Sequence, residues 1–206
     1  MRYRSQSVAY WYFAVAMVLF GNLVAVALRV YAETRFLEAY GKEFLPWLFI
    51  ATALGFAVAT LGYDYISRRF DPRTVDLGLL VALGIAAGAA PYALAVGAPP
   101  VVLVVALAAV SQVAGLALWN RVCAAVAGRD ARRMLPRAGA AVTAGGAIAG
   151  LGGAALAFRF GADMLPYIGA AVTVLVLLLA TAQDRALATG GARRACRIGA
   201  DHLALT

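Results

Sequence analysis

The chain has 206 residues, of which 64% are hydrophobic and 14% are charged, and its mean hydropathy is +0.83. A soluble domain carries roughly 25% charged residues, so this apolar surplus exceeds what a soluble core can hide, and much of the chain is expected to lie in lipid. The net charge of +8 does not indicate nucleic-acid binding, because the 18 basic residues separate apolar runs instead of forming one polar region.

Apolar runs of the length needed to cross ~30 Å of hydrocarbon predict an all-α membrane fold. Six transmembrane spans are predicted, at about residues 8–28, 44–63, 77–96, 101–121, 138–158 and 164–183. The first run is too long for a signal peptide and lacks a clear cleavage site. The sequence Gly97-Ala98-Pro99-Pro100 predicts a tight turn between the third and fourth spans. The first helix is expected to protrude from the membrane and to turn at Gly41.

The distribution of arginine and lysine predicts the orientation, because these residues are retained on the cytoplasmic side. Thirteen of the 18 lie in the amino terminus, the second-to-third and fourth-to-fifth connections and the tail, four lie on the opposite side, and Arg121 lies at a helix end. Both termini are therefore expected in the cytoplasm, with the chain in a bacterial inner membrane. Residues 1–183 form the predicted transmembrane domain and 184–206 a basic, flexible cytoplasmic tail. Cys123 and Cys196 are expected to be reduced thiols on or near that side.

Glycine recurs along the fifth span at helical spacing, which places the residues on one face. The predicted helix-packing residues are Gly139, Gly146, Gly150 and Gly153, with Thr143 and Ala157 on the same face. Because lipid gives helices no hydrophobic reason to associate, close approach through small residues has to supply the packing energy. This face is therefore predicted to pack against a neighbouring helix, with glycine scattered by composition as the open alternative.

Polar side chains at membrane depth are costly, so they mark candidate solute contacts. The predicted substrate-path residues are Asn22, Arg29, Gln112, Asn120 and Arg121. Asn22 and Gln112 are favoured, because each lies near the middle of its span and offers both a donor and an acceptor. A hydrogen bond between neighbouring helices is an equally open interpretation. No carboxylate or lysine lies deep in a predicted span, which argues against a proton relay and a strongly anionic solute.

The sequence carries no recognisable catalytic or metal-binding motif. Its one histidine, His202, lies in the tail, and neither His-Glu-x-x-His nor Gly-x-Ser-x-Gly occurs. We therefore predict that the protein is not an enzyme, with no catalytic residues, no metal and no cofactor. The expected partners are the lipid bilayer and a small solute, and not nucleic acid.

The connection between the second and third spans, Ser67-Arg68-Arg69-Phe70-Asp71-Pro72-Arg73, resembles the motif that transporters of the major facilitator superfamily carry there. The resemblance implies that a set of charged residues pairs across the cytoplasmic face and holds one state of the transport cycle. This predicted cytoplasmic latch consists of Arg68, Arg69, Asp71 and Arg73. The open alternative is that these arginines only orient the chain.

The stretch from Trp119 through the arginine-rich fourth connection to the glycine-rich fifth span is similar to the branch of that superfamily related to ATP:ADP antiporters, as is Tyr40-Gly41 through Leu45-Pro46. Six spans with both ends inside correspond to the amino-terminal half of that fold, built of two inverted three-helix repeats. The resemblance implies transport of a small solute by alternating access, together with a second six-helix half or a second copy. Two alternatives stay open, a six-helix substrate-binding subunit of a multi-component importer and a non-transporting accessory or remnant protein.

Overall fold

The computed structural model describes residues 2–125 and 131–203, which form six long helices and one short 3₁₀ helix. The helices are α1 (Arg2–Tyr40), a 3₁₀ turn (Lys42–Phe44), α2 (Leu45–Ser67), α3 (Pro72–Ala95), α4 (Pro100–Ala125), α5 (Ala131–Phe160) and α6 (Met164–Leu203). Each of the six contains a segment long and apolar enough to cross a membrane, which indicates a multi-pass membrane protein. The predicted all-α fold with six such helices is confirmed. Arg129, counted among the arginines of the fourth connection, and residues 204–206 lie outside the described residues.

The ends of the helices follow local turn chemistry. The predicted turn at Gly41 is confirmed, with a φ of 77° that favours glycine, and Gly97 has a φ of 89° in the predicted turn before Pro100. Helix α3 begins with Pro72, and the Asp71 carboxylate caps it by accepting a hydrogen bond of 3.3 Å from the Thr74 backbone N–H. Helix α6 continues past residue 183 as far as Leu203. Flexibility of the tail stays a prediction.

Helix α1 lies at the centre of the bundle and packs against α4, α5 and α6. Its side chains are buried on the faces that these helices cover, and the most buried are Ala14, Met17, Val24, Leu28 and Tyr31. At the end of α1 beyond the predicted span, Arg35 pairs with Glu38 of the same helix and with Asp163 in the turn before α6. The long first helix is therefore held along most of its length.

The helix pairings have an internal symmetry. The extensive contacts are α1 with α4, α5 and α6, α3 with α4 and α6, and α2 with α4. Exchanging α1 with α4, α2 with α5 and α3 with α6 converts this set of pairings into itself. The two least buried helices, α2 and α5, also exchange with each other. Under this exchange, each of the first three helices has the same packing partners as its counterpart among the last three.

The packing face of α5 is rotated by about one residue from the predicted one. Its buried positions are Ala138, Gly145, Ala149 and Gly153. A Cβ on Gly145 would lie 2.5 Å from the Leu19 carbonyl oxygen of α1, and one on Gly146 would lie 2.9 Å from the Asn22 amide nitrogen.

Of the four predicted packing glycines, Gly146 and Gly153 lie where a Cβ would meet a neighbouring helix, whereas at Gly139 and Gly150 a Cβ would meet no atom within 4 Å. The regular spacing of small residues is the same for the two adjacent faces of α5. Which of them meets α1 depends on the neighbouring backbone, a property of the assembled bundle that spacing along one helix does not contain.

Candidate functional site

A cavity of about 360 Å³ lies between α1, α2, α4 and α5. Apolar and aromatic groups make up most of its wall, with the Phe56 ring contributed by α2 and the Trp119 ring by α4. Three of the predicted substrate-path residues line it, namely Asn22, Arg29 and Gln112. A largely apolar cleft with a few convergent polar groups is typical of a small-molecule site.

The two amides in the cavity wall differ in how they are engaged. Asn22 donates a hydrogen bond of 2.6 Å from Nδ2 to the Val142 carbonyl oxygen of α5, so it both lines the cavity and joins two helices. Ser111 donates to the Ala108 carbonyl oxygen of its own helix at 3.1 Å. Gln112 has no hydrogen-bond partner among the described residues, so its amide is available to a ligand.

Arg29 is the cationic group of the cavity wall, and its charge is already balanced. Its Nε donates to Glu33 Oε1 at 2.7 Å, one turn further along α1, and its side chain is more than half exposed. An exposed i, i+4 pair of this kind is weak, so the guanidinium can turn to a ligand at little cost. One such group suits a neutral or singly charged solute better than a polyphosphate.

The other two predicted substrate-path residues do not line this cavity. Asn120 and Arg121 belong instead to a polar network at one end of the bundle. At this end, which we call the arginine-rich end, the predicted spans of α2, α4 and α6 finish and α3 begins. There Arg121 forms a forked pair with Asp184 of α6, through Nη1 at 3.2 Å and Nη2 at 3.4 Å. Its Nε lies 3.4 Å from Asp76 Oδ2 of α3.

A second branch of this network reaches α2. Asn120 donates through Nδ2 to the Tyr63 hydroxyl at 3.0 Å, and that hydroxyl lies 3.4 Å from Asp76 Oδ1. The network therefore joins the ends of α2, α3, α4 and α6 through side chains alone. Such a connection fixes the relative positions of four helices at one end of the bundle.

Burial decides how much this network matters. The side chains of Arg121 and Asp76 are 8% and 9% exposed, and that of Asp184 is 22% exposed. Removing one partner from a buried ion pair leaves an uncompensated charge, which costs several kcal/mol, whereas exposed pairs are worth about 0–1 kcal/mol. Two carboxylates share one guanidinium here, so the arrangement depends on Arg121 more than on either acid.

The predicted latch residues make local contacts in this structure. Arg68 pairs with Asp64 of its own helix at 2.8 Å, and the Arg69 guanidinium lies 4.5 Å from the centre of the Tyr65 ring. Asp71 caps α3, and Arg73 is exposed in its first turn. Arg121, in contrast, forms ion pairs that connect different helices at this end.

Sequence reasoning did not select Asp76, Asp184, Tyr63 or Phe56. Asp76 immediately precedes the predicted third span and Asp184 immediately follows the sixth, so each was assigned to the aqueous side of a boundary. The sequence does contain a signal for these two acids, because both border predicted spans at the same end of the bundle as Arg121, the last residue of the fourth predicted span. Phe56 carries no signal, because one aromatic ring among apolar neighbours does not reveal which side faces a cavity.

Within the part of the chain that the structure describes, no group of three or more His, Cys, Asp or Glu side chains is arranged to hold a metal ion. Asp76 and Asp184, which come together at the arginine-rich end, are both engaged by Arg121.

The chain matches no protein-family model, no curated protein and no solved structure at a significant level. Its functional assignment therefore depends on its own residues and geometry.

Proposed function

We propose that this chain is one six-helix half of a secondary transporter of the major facilitator type, which moves a small solute across the membrane by alternating access. The observation that carries the proposal is the symmetry of the helix pairings under exchange of α1–α3 with α4–α6. Transporters of this class are built from inverted three-helix repeats, with the solute site at the interface of the repeats. An experimental structure in which α1–α3 cannot be superposed on α4–α6 by a near two-fold axis in the membrane plane would contradict it.

The position of the cavity supports the same proposal. Its walls come from α1 and α4 and from α2 and α5, which are two pairs related by that exchange. The exposed flanks of α2 and α5 then provide the surface for a second six-helix half or a second copy. The solute we propose is small, uncharged or singly charged, with a flat apolar part against Phe56 and Trp119 and a polar group near Gln112.

Transport is tested by reconstitution into vesicles with a panel of labelled small solutes. Gly115 lines the cavity and has open space where a Cβ would be, so Gly115→Leu should fill the cavity without disturbing the helices. We expect this substitution to reduce solute flux to the level of empty vesicles. Gly88→Leu is the matched control, because Gly88 also has open space and lies outside the cavity.

Flux that persists in Gly115→Leu would contradict a solute path through this cavity. If the unmodified protein gives no more flux than empty vesicles for every solute and binds none of them, the chain is a non-transporting accessory or remnant protein.

The polar network supports a second part of the proposal, a latch at the arginine-rich end. We propose that Arg121, Asp76 and Asp184 hold this end of the half rigid, while Arg68, Arg69 and Arg73 stand ready to pair with acids, and Asp71 with a basic group, of a second half or copy. The two groups are separable, because the first is buried and the second is exposed. Substitution of the exposed group is expected to change transport rates with little effect on stability.

The proposed orientation places both termini in the cytoplasm of a bacterium, on the strength of the unequal distribution of arginine and lysine. In a background with Cys123→Ser and Cys196→Ser, single cysteines introduced at Glu43 and Arg73 are expected to react oppositely with a membrane-impermeant maleimide in intact cells. The Glu43 position should be labelled and the Arg73 position protected. The reverse pattern would invert the topology.

The cavity also favours a second candidate, a membrane-embedded substrate-binding subunit of a multi-component importer. The specific observation is that the cavity is formed by four helices of a single copy, with polar groups directed into it. This candidate predicts stable co-purification with an ATPase and solute binding by the isolated chain without flux. The half-transporter proposal predicts neither result.

A further inference from the structure

An apolar groove of about 410 Å³ runs along the outside of the bundle between α2, α3 and α4, apart from the cavity. Its walls are small or branched apolar residues, including Ala59, Gly62, Ile66, Val75, Gly78 and Val110. Gly62 of α2 and Gly78 of α3 both line the groove, and a Cβ at either position would meet no atom within 4 Å. These two glycines therefore account for the depth of the groove.

The groove is long enough to hold part of a lipid acyl chain. From Ala59 to Ile66 the α2 wall rises about 10 Å at 1.5 Å per residue, which is about a third of a ~30 Å hydrocarbon core. The Tyr63 ring lines the same wall, while its hydroxyl is engaged by Asn120 at 3.0 Å. The lining thus offers an apolar ligand surface without an unsatisfied polar group.

Cationic residues closely follow or precede the groove-lining residues along the chain. Arg69 comes three residues after Ile66 on the α2 side, and Arg73 comes two residues before Val75 on the α3 side. Among the described residues neither arginine forms an ion pair, and Arg69 is held over the Tyr65 ring. Arg68 differs, because Asp64 already neutralises it at 2.8 Å.

We propose that this groove is a binding site for an anionic phospholipid, with one acyl chain between α2 and α3 and the headgroup phosphate on Arg69 and Arg73. The occupant follows from the combination of an apolar channel open to the bilayer with unpaired guanidinium groups at the depth of the headgroups. Basic pockets between helices on the cytoplasmic side are typical sites for anionic headgroups. The site shares Arg69 and Arg73 with the proposed latch and rests on the proposed orientation, but lipid retention is measured without transport, so its failure is distinguishable from failure of the proposed function.

The test measures lipid retention by the purified full chain with native mass spectrometry. Palmitoyl-oleoyl phosphatidylglycerol and the phosphatidylcholine of the same chains are added in equal amounts to the protein in detergent. We expect preferential retention of one phosphatidylglycerol. Arg69→Gln and Arg73→Gln should each lower that preference about fivefold, the factor expected for one basic residue at an anionic surface. Arg159→Gln, at the opposite end of the bundle, is the charge-matched control and should leave the preference unchanged.

The acyl-chain part of the proposal has its own pair of variants on one helix. Gly78→Leu fills the groove and should abolish retention of both lipids, whereas Gly88→Leu, outside it, should not. Circular dichroism checks that each variant keeps its helix content. Equal retention by Gly78→Leu and Gly88→Leu, or an unchanged preference in both arginine variants, would overturn the proposal. The proposal would also be overturned if the unmodified protein carried a bound second protein, or formed a dimer, and Gly78→Leu alone lost it, because the groove would then bind a protein instead of a lipid.

Discussion

Replacing Arg121 with glutamine is expected to lower the free energy of unfolding by about 3–5 kcal/mol, the largest single effect we anticipate in this chain. The substitution leaves Asp76 and Asp184 close together without a counter-charge in a site that water reaches poorly. Unfolding can be followed by circular dichroism in mixed micelles with an increasing fraction of denaturing detergent. The shift in midpoint then reports the loss.

The matched control is Arg68→Gln, which breaks the exposed Arg68–Asp64 pair of the same chemical type. An exposed pair contributes about 0–1 kcal/mol, so this variant should unfold close to the unmodified protein. Restoring neutrality should also rescue the buried site, because the triple variant Asp76→Asn, Arg121→Gln and Asp184→Asn removes all three charges together. Equal destabilisation by Arg121→Gln and Arg68→Gln would contradict the buried network.

Adding a single methyl group at Gly145 is expected to destabilise the bundle by about 1–3 kcal/mol, the range for overpacking. A Cβ there would lie 2.5 Å from the carbonyl oxygen of Leu19 and 3.2 Å from its carbonyl carbon. These are backbone atoms of the central helix, so α1 and α5 must separate to relieve the contact. The same unfolding assay measures the effect of Gly145→Ala.

The control substitutions for Gly145→Ala are expected to change the free energy of unfolding in the opposite direction. Gly139 and Gly150 lie on the same helix, and a methyl group added at either would have no atom within 4 Å, so alanine there meets open space. Alanine is favoured over glycine in a helix interior by roughly 0.5–1 kcal/mol, and both variants should be slightly stabilised. If Gly150→Ala destabilised the protein as much as Gly145→Ala, α5 would pack through the face predicted from the glycine spacing.

Features that depend on adjacent residues were predictable from the sequence. The turn at Gly41 and the break before Pro100 follow from the allowed backbone angles of glycine and proline, and the six spans follow from apolar length. Cavity residues were partly predictable, because an amide in an apolar span is costly anywhere except at a polar contact. Asn22 and Gln112 were recognised for that reason.

Features that depend on neighbouring helices were not predictable. The sequence identifies Arg121 as a polar residue at a helix end, but its partners Asp76 and Asp184 are 45 and 63 positions away along the chain. Of the two adjacent glycines, Gly145 leaves less room for a Cβ than Gly146, and this difference likewise depends on the Leu19 backbone of α1. Contacts of this kind are set by how helices rotate against each other, which single-chain periodicity leaves open.

The central position of α1 has a consequence for biogenesis. Of the six helices this one is synthesised before the others, yet its extensive packing partners are α4, α5 and α6, and α4 begins only at Pro100. At roughly 5–20 residues per second, the chain between Tyr40 and Pro100 takes about 3–12 s to synthesise. During that interval α1 waits in the lipid or at the insertion machinery with its packing surface uncovered. Assembly of this bundle is therefore a late event in translation, completed when the last helices enclose the first.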